Sequence, residues 1–572
     1  MTRPALAALV ACALLAGLPG CAPRAATTFT LSLVGTNDLH GGMLAVEGRG
    51  GLALLGGYLS NLRAVRQKDD GAVLLVDAGD LFQGTLESNL NEGATVVDAY
   101  NALGYAAATI GNHEFDYGPE GDASIPRTPG DDPRGALKAR LRQARFPWIA
   151  ANILDATTQQ APAWPNVTPS TLLTVNGVRI GLVGLLTEPA LSLSVAANVA
   201  GLAMAPLAPA LETEALALRQ RGATIVIALA HAGGKCTETV NPQDLASCES
   251  TAEIFDLARR LPAGLVDAIV AGHRHEPIAH EVNGIPIIQS YSRGRAFGRI
   301  DVLVDLATGR AQAHRLFQPQ ELCARVAPGA AGCAAPAVAN ATPAMYEGQV
   351  VTASAPIAAL LQPAVDAATQ LKSRPLGAAI TAPLTFSDFT ESPVGDLQAD
   401  WMRAIVPGAD AALTNSAGLR ANLGVGPLTF GALYELLPFD NQRVTIALSG
   451  EQLRTVVAAN MTVRGSMVVL SGIRATATCA GDDVSVTLRR DSGRLVRDTE
   501  MLTVVTSDFL ATGGDGFLTP VMPVRVLEQG QLLRSELAAT IGRLRGPWGA
   551  ERLALPPRVT YPGTRPVTCA SR

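Results

Sequence analysis

Apolar residues in the first half of the chain come in short unbroken runs, each followed by a polar loop and a longer stretch of helical spacing. The runs are Phe29–Val34, Ala72–Val76, Arg179–Leu185, Thr224–Leu229, Val266–Val270 and Ile285–Ile288. Strands with one wet face alternate apolar and polar positions. Runs without alternation predict strands buried on both faces, as in an α/β layer architecture. After Asp301–Val304 the pattern lapses into a region rich in Pro, Ala and Gly, which reads as a domain junction. Between Tyr346 and Leu371 the breakers are few apart from Pro356 and Pro363, so a connecting helix is expected there. From Pro375 to about Tyr561 helical and strand patterns mix again, with no internal repeat.

Length supports the division, because 572 residues exceed what one hydrophobic core organises. With 48% of residues apolar and 17% charged the chain reads as globular. A net charge of −5 gives no basic footprint for a nucleic-acid polymer, so a small anion would need a locally positive pocket.

The N-terminus carries Arg3 and then an apolar run from Ala5 to Leu18, signal-peptide length and too short for a comfortable membrane span. Leu18-Pro19-Gly20-Cys21 resembles a bacterial lipoprotein cleavage box with Cys21 as the lipid-modified residue; ordinary cleavage near Ala25 or Ala26 is the alternative. The chain is therefore expected to be exported, to the periplasm or as an outer-membrane lipoprotein, touching a membrane only through that lipid. Setting aside Cys12 and Cys21 leaves Cys236, Cys248, Cys323, Cys333, Cys479 and Cys569. An even number in an exported chain predicts disulfides. Proximity suggests Cys236–Cys248, Cys323–Cys333 and Cys479–Cys569, among the fifteen pairings six cysteines allow.

The candidate chemistry sits just after the apolar runs. The first leads into Asn37-Asp38-Leu39-His40, the second into Asp77-Ala78-Gly79-Asp80, and a third stretch into Gly111-Asn112-His113-Glu114-Phe115-Asp116. Two more lead into Ala230-His231-Ala232 and Gly272-His273-Arg274-His275. Loops at strand carboxyl ends converge on one crevice in an open α/β sheet. Of seven histidines five fall in these loops, which scattered core histidines would not do. Taken singly, Asp38 reads as a turn residue, Gly79-Asp80 as a β-turn and His231 as a buried strand-end histidine. Their order and placement favour a metal site. Neutral imidazoles with carboxylates suit Zn, Mn or Co, with Mg as an alternative. Two ions about 3.5–4 Å apart need a bridging carboxylate, clamp phosphoryl oxygens and lower the pKa of a bound water to about 7.

The ordered series D-x-H, G-D, G-N-H-E, lone His and G-H-x-H resembles the calcineurin-type metallophosphoesterase signature. The resemblance implies Asp38, His40, Asp80 and His275 around one divalent ion, and Asp80, Asn112, His231 and His273 around a second, with Asp80 bridging. It implies that His113, oriented by Asp116, stabilises charge on the phosphoryl oxygen or leaving group, while a metal-activated water is the nucleophile. Relatives often carry Gln or Asn where His275 stands.

Three later blocks are similar to 5′-nucleotidase C-terminal domains: Asn415-Ser416-Ala417-Gly418-Leu419-Arg420, Leu437-Pro438-Phe439-Asp440-Asn441, and Asp508 to Phe517. The resemblance, to the 5′-nucleotidase and UDP-sugar hydrolase family, implies that Phe439 and Phe509 sandwich a base. It implies that Asn415 and Asp515 hydrogen-bond base or ribose and that Arg420 faces phosphate. By type alone each Phe is as well a core residue, and Arg420 a solvated cation. One departure stands out. Relatives carry an arginine just before the block matching Glu391-Ser392-Pro393-Val394-Gly395, and none lies between Asp388 and Leu397. Arg443 is a candidate replacement.

The expected architecture is a leader over 1–26 and a four-layer αββα metallophosphoesterase sandwich over 27–320. A linker with a helix over 321–374 and an α/β (α+β) substrate-binding domain over 375–572 follow. The domains are expected to close on each other to unite ions and base. The expected activity is nucleotide phosphohydrolysis, including nucleoside di- and triphosphates or UDP-sugars, by a monomer. A 2′,3′-cyclic nucleotide phosphodiesterase or broad phosphoesterase is the alternative, and an inactive nucleotide-binding lipoprotein a third. A binding-only descendant, however, has no need of every ligand plus His113 and Asp116.

Overall fold

The unalternating runs become neighbouring strands of two facing sheets. A computed structural model describes residues 27–121, 123–329, 332–335 and 337–569; the leader and its Cys21 lie outside the described residues. The first sheet orders its strands Ala311–Leu316, Ala296–Asp305, Thr28–Thr36, Ala72–Asp77, Ala107–Thr109, Trp148–Ile149 and Val167–Thr168. The second runs Ile278–Val282, Ile285–Gln289, Ala268–Ala271, Ile225–His231, Val178–Leu186 and Ser170–Val175. Central strands pair in parallel in both, Thr28–Thr36 with Ala72–Asp77 and Ile225–His231 with Val178–Leu186.

The sheets bury their inner faces against each other. Leu31, Leu33, Leu74 and Val76 of the first pack with Ile180, Leu182, Ile227 and Val270 of the second. The outer face of the first sheet is covered by the helices Leu52–Lys68, Ala94–Leu103 and Gly135–Gln143. Helices Leu207–Gln220 and Glu253–Arg260 cover the second. Strands buried on both faces cannot afford polar alternation, which is why their sequences read as solid apolar blocks. Four layers, helix–sheet–sheet–helix, result.

The expected connecting helix is Ala355–Lys372, with Ser354 at its N-cap and Pro356 in the first turn, where a missing N–H costs nothing. Pro363 lies inside the same helix. Beyond it, a five-stranded sheet orders Val468–Ser471, Ala411–Asn415, Met501–Ser507, Gln442–Ser449 and Arg525–Leu532. Helix Gly450–Met461 starts at a capping box in which Ser449 and Gln452 each satisfy the other's backbone N–H. A three-stranded sheet is completed by Val559–Thr560, pairing in parallel with Ile473–Ala480. The disulfides are Cys236–Cys248, Cys323–Cys333 and Cys479–Cys569, the pairs that proximity suggests. No helix among the described residues is long and apolar enough to cross a membrane.

Candidate active site

Five of the seven sequence-predicted ligand residues have backbones in the left-handed region. Asp38 (φ 50°), His40 (φ 47°), Asp80 (φ 60°), His273 (φ 77°) and His275 (φ 57°) all adopt it. For residues with a Cβ this conformation costs about 1–3 kcal/mol each and persists only where the surroundings impose it. Hydrogen bonds between the loops do so here. Asp38 N donates to Gly79 O, His40 N to Asp80 O, and His273 N to the Asp38 carboxylate at 2.8 Å. Glu114, quoted in the sequence block but given no role there, accepts from the backbone N–H groups of Asp80, Leu81 and Gly111 and so clamps two loops together. Gly111 is there for space: a Cβ would lie 2.1 Å from Asp80 Oδ1.

The side chains form two adjoining clusters, Asp38 with His40 and His275, and Asp80 with His231 and His273. Asp80 Oδ2 faces both, 3.7 Å from His40 Nε2 and 3.1 Å from His231 Nε2. Asn112 Oδ1 joins the second at 3.2 Å from His231 Nε2. In the first, His275 Nε2 stands 3.4 Å from Asp38 Oδ1 and 3.0 Å from His40 Nε2.

The donor set can be tested for fit to a cation. His231 Nδ1 lies 2.8 Å from Ala78 O and His40 Nδ1 2.9 Å from Gln83 O, so each Nδ1 carries the proton. A neutral His231 then points its Nε2 lone pair at a carboxylate oxygen and an amide oxygen. Acceptors meeting acceptors in a buried place need positive charge among them. With only the protein's own charges, a proton meets this need: burial opposes it, but Asp80 outweighs burial and lifts His231 to about 10. Burial would likewise raise Asp38 and Asp80, yet the facing imidazoles hold both below the usual carboxylate range. Burial drives His40 down to about 3 and His273 to about 4, the neutral form a ligand needs. Both groups of donors fit a divalent cation.

Beside it, His113 Nδ1 lies 2.6 Å from Asp116 Oδ2. Burial disfavours protonation of His113, but Asp116 and Asp80 outweigh it and raise the imidazole to about 9.

The same cavity, of about 210 Å³, is lined by Asn112, His113, Asp116 and His273 from one lobe. Asn415, Arg420, Phe439, Phe509 and Asp515 line it from the other. Both sets of residues line one cavity in this conformation. Phe439 lies nearly parallel to His113 with centroids 6.1 Å apart, and the Arg420 guanidinium sits 4.8 Å over the Phe439 ring. Asn415 Nδ2 donates to Asp515 Oδ2 at 2.7 Å. Asp508, unsuspected from sequence, ties the two aromatic loops by accepting from Gln442 N and Phe509 N. Arg443 does not replace the missing arginine. It is buried along its strand, engages Glu536, Glu528 and Thr445, and does not line the cavity.

Comparisons with known proteins agree with this geometry. Residues 31–277 match the family model of the calcineurin-like phosphoesterases, and residues 374–521 that of the 5′-nucleotidase C-terminal domain. The chain is 26% identical to Endonuclease YhcR of Bacillus subtilis, covering 86% of this chain but only 38% of that protein. It is 25% identical to a 5′-nucleotidase of Vibrio cholerae over 90% of this chain and 91% of the relative. The solved 5′-nucleotidase precursor from Thermus thermophilus shares the fold, with a TM-score of 0.69 at 23% identity, over 93% of this chain and 99% of that one. The loop cluster, the second lobe and these matches together place the chain in the 5′-nucleotidase family of metal-dependent phosphoric ester hydrolases, in which a calcineurin-like phosphoesterase domain precedes a 5′-nucleotidase C-terminal domain.

Proposed function

We propose that this chain releases phosphate from 5′-nucleotides, with Asp38, His40, Asp80, Asn112, His231, His273 and His275 holding two divalent ions. The observation that carries the reading is the cavity in which Asn112 and His273 of this cluster, together with His113, face Phe439, Phe509, Asn415, Asp515 and Arg420. Bound ions would neutralise the phosphoryl oxygens and acidify an attacking water. The protein's own groups do the rest. Asp116 fixes the His113 ring by Nδ1 and leaves Nε2 for the phosphoryl oxygen or leaving group, where a preorganised donor stabilises developing charge. Phe439 and Phe509 offer aromatic faces to a base, and the Asn415–Asp515 pair offers donor and acceptor to base or ribose.

Nucleoside di- and triphosphates and UDP-sugars belong to the same proposal. Export is part of it too, supported by three disulfides, which persist in oxidising compartments.

A second reading, a cyclic-nucleotide or general phosphodiesterase, is favoured by one observation. Arg420, half-buried, has Asp388, Arg293 and Asp515 within electrostatic reach, two carboxylates against one further guanidinium, and no arginine stands between positions 388 and 397. That lowers the positive potential available to a dianionic monoester. Phosphate release from AMP, UDP-glucose, a 2′,3′-cyclic nucleotide and a generic diester, each with Mn, Co, Zn or Mg, separates the readings. AMP is expected to be turned over fastest; cleavage of diesters with none of AMP would overturn the first in favour of the second.

A further inference from the structure

Gln83 touches both lobes, by His40 on one side and Pro438 on the other. Gln83 lies three positions after Asp80 and is 4% exposed. Its backbone carbonyl takes the Nδ1 proton of His40 at 2.9 Å, which selects the nitrogen that His40 presents to His275 and Asp80. Its side-chain amide donates to the backbone carbonyl of Pro438 at 3.2 Å, in the opposite lobe. The next residue along, Phe439, carries the ring that faces His113 and supports Arg420. The backbone of Gln83 has little freedom to withdraw from His40, because a Cβ on the following Gly84 would lie 2.3 Å from the His40 carbonyl.

Buried amides keep hydrogen-bond partners, and that of Gln83 has Pro438 in the other lobe. Separation of the lobes removes this acceptor, whereas the bond to His40 lies within one lobe and survives. The residue therefore distinguishes the closed from the open arrangement by its side chain while holding a candidate metal ligand by its backbone.

We propose that Gln83 is a positioning residue that latches the Pro438–Phe439 loop onto the metal-binding loop, so that seating of the base and placement of the phosphate occur together. The proposal rests on the reading of Phe439 as a base-stacking residue. It concerns the side chain alone, since the carbonyl that holds His40 is common to every substitution.

The full chain loaded with Mn provides the test. Gln83→Leu keeps the volume and removes the donor; it is expected to raise KM for AMP roughly 5- to 10-fold, the scale of one lost hydrogen bond. In the same variant kcat and Mn affinity, by titration calorimetry, should stay within about 2-fold. Gln83→Glu sets a carboxylate against the Pro438 carbonyl and should raise KM further at neutral pH. Equal loss of kcat and Mn affinity in Gln83→Leu, or an unaltered KM in both variants, would overturn the latch. A separate readout uses spin labels on the two lobes without substrate: the interlobe distance should shift toward the open range in Gln83→Leu, and an unchanged distribution counts against the latch. A parent inactive on AMP but showing this shift would sink the nucleotide reading and leave the latch standing.

Discussion

The two walls of the cavity are held in opposite ways. On the N-terminal wall, ligand atoms face one another with too little positive charge between them, on backbones strained into place at five positions. On the C-terminal wall the polar groups already satisfy each other. Asn415 donates to Asp515, and Arg420 donates to the carbonyls of Ala417 and Leu419. The first wall needs added positive charge, a proton on His231 or a bound cation; the second is at rest without a ligand and must trade internal bonds for substrate bonds. Charge deficit fixes one half of the site, and exchangeable pairing tunes the other.

The largest effect should come from removing the shared carboxylate. Asp80→Ala is expected to lower turnover by more than about 10³-fold, as befits loss of a preorganised electrostatic group. Elemental analysis should find no more than one ion per chain, and two tightly held ions would break the contrast between the walls.

Next comes His113→Ala, with kcat expected to fall by about 10²-fold or more, the usual contribution of a positioned proton donor. Its metal content should match the parent. Lost metal in this variant would mean that His113 belongs to the charge-deficient cluster rather than beside it.

On the opposite wall the effects should be in KM. Phe439→Ala should raise KM for AMP by roughly 5- to 100-fold, corresponding to about 1–3 kcal/mol of stacking on a base, with kcat changing far less. A kcat loss as deep as that of His113→Ala would show that both walls do the same work. The smallest change is Asn415→Ala, about 5-fold in KM, because its bond is one the free protein already makes to Asp515. An effect beyond 100-fold would mean that this wall, too, is poised on an unmet need.

Much of the first wall was legible in sequence because its residue types mark the ends of buried strands, and those runs became the strands of the facing sheets. The helix expected between Tyr346 and Leu371 is there as Ala355–Lys372, its prolines tolerated at the start and about two turns further on. Other features were not legible for physical reasons. Glu114 clamps by accepting three backbone N–H groups, and Gln83 holds His40 by a carbonyl that every residue has; neither partnership is marked in the local sequence. Arg443 looked free in one dimension and is consumed by glutamates far along the chain. The pairing of Val559–Thr560 with Ile473–Ala480 likewise depends on contacts that no local pattern encodes.

Each disulfide staples a single lobe: Cys236–Cys248 and Cys323–Cys333 the first, Cys479–Cys569 the second. The covalent framework therefore toughens each half against unfolding and, among the described residues, places no crosslink between them. A reductant would soften each half without cutting any covalent tie between the two.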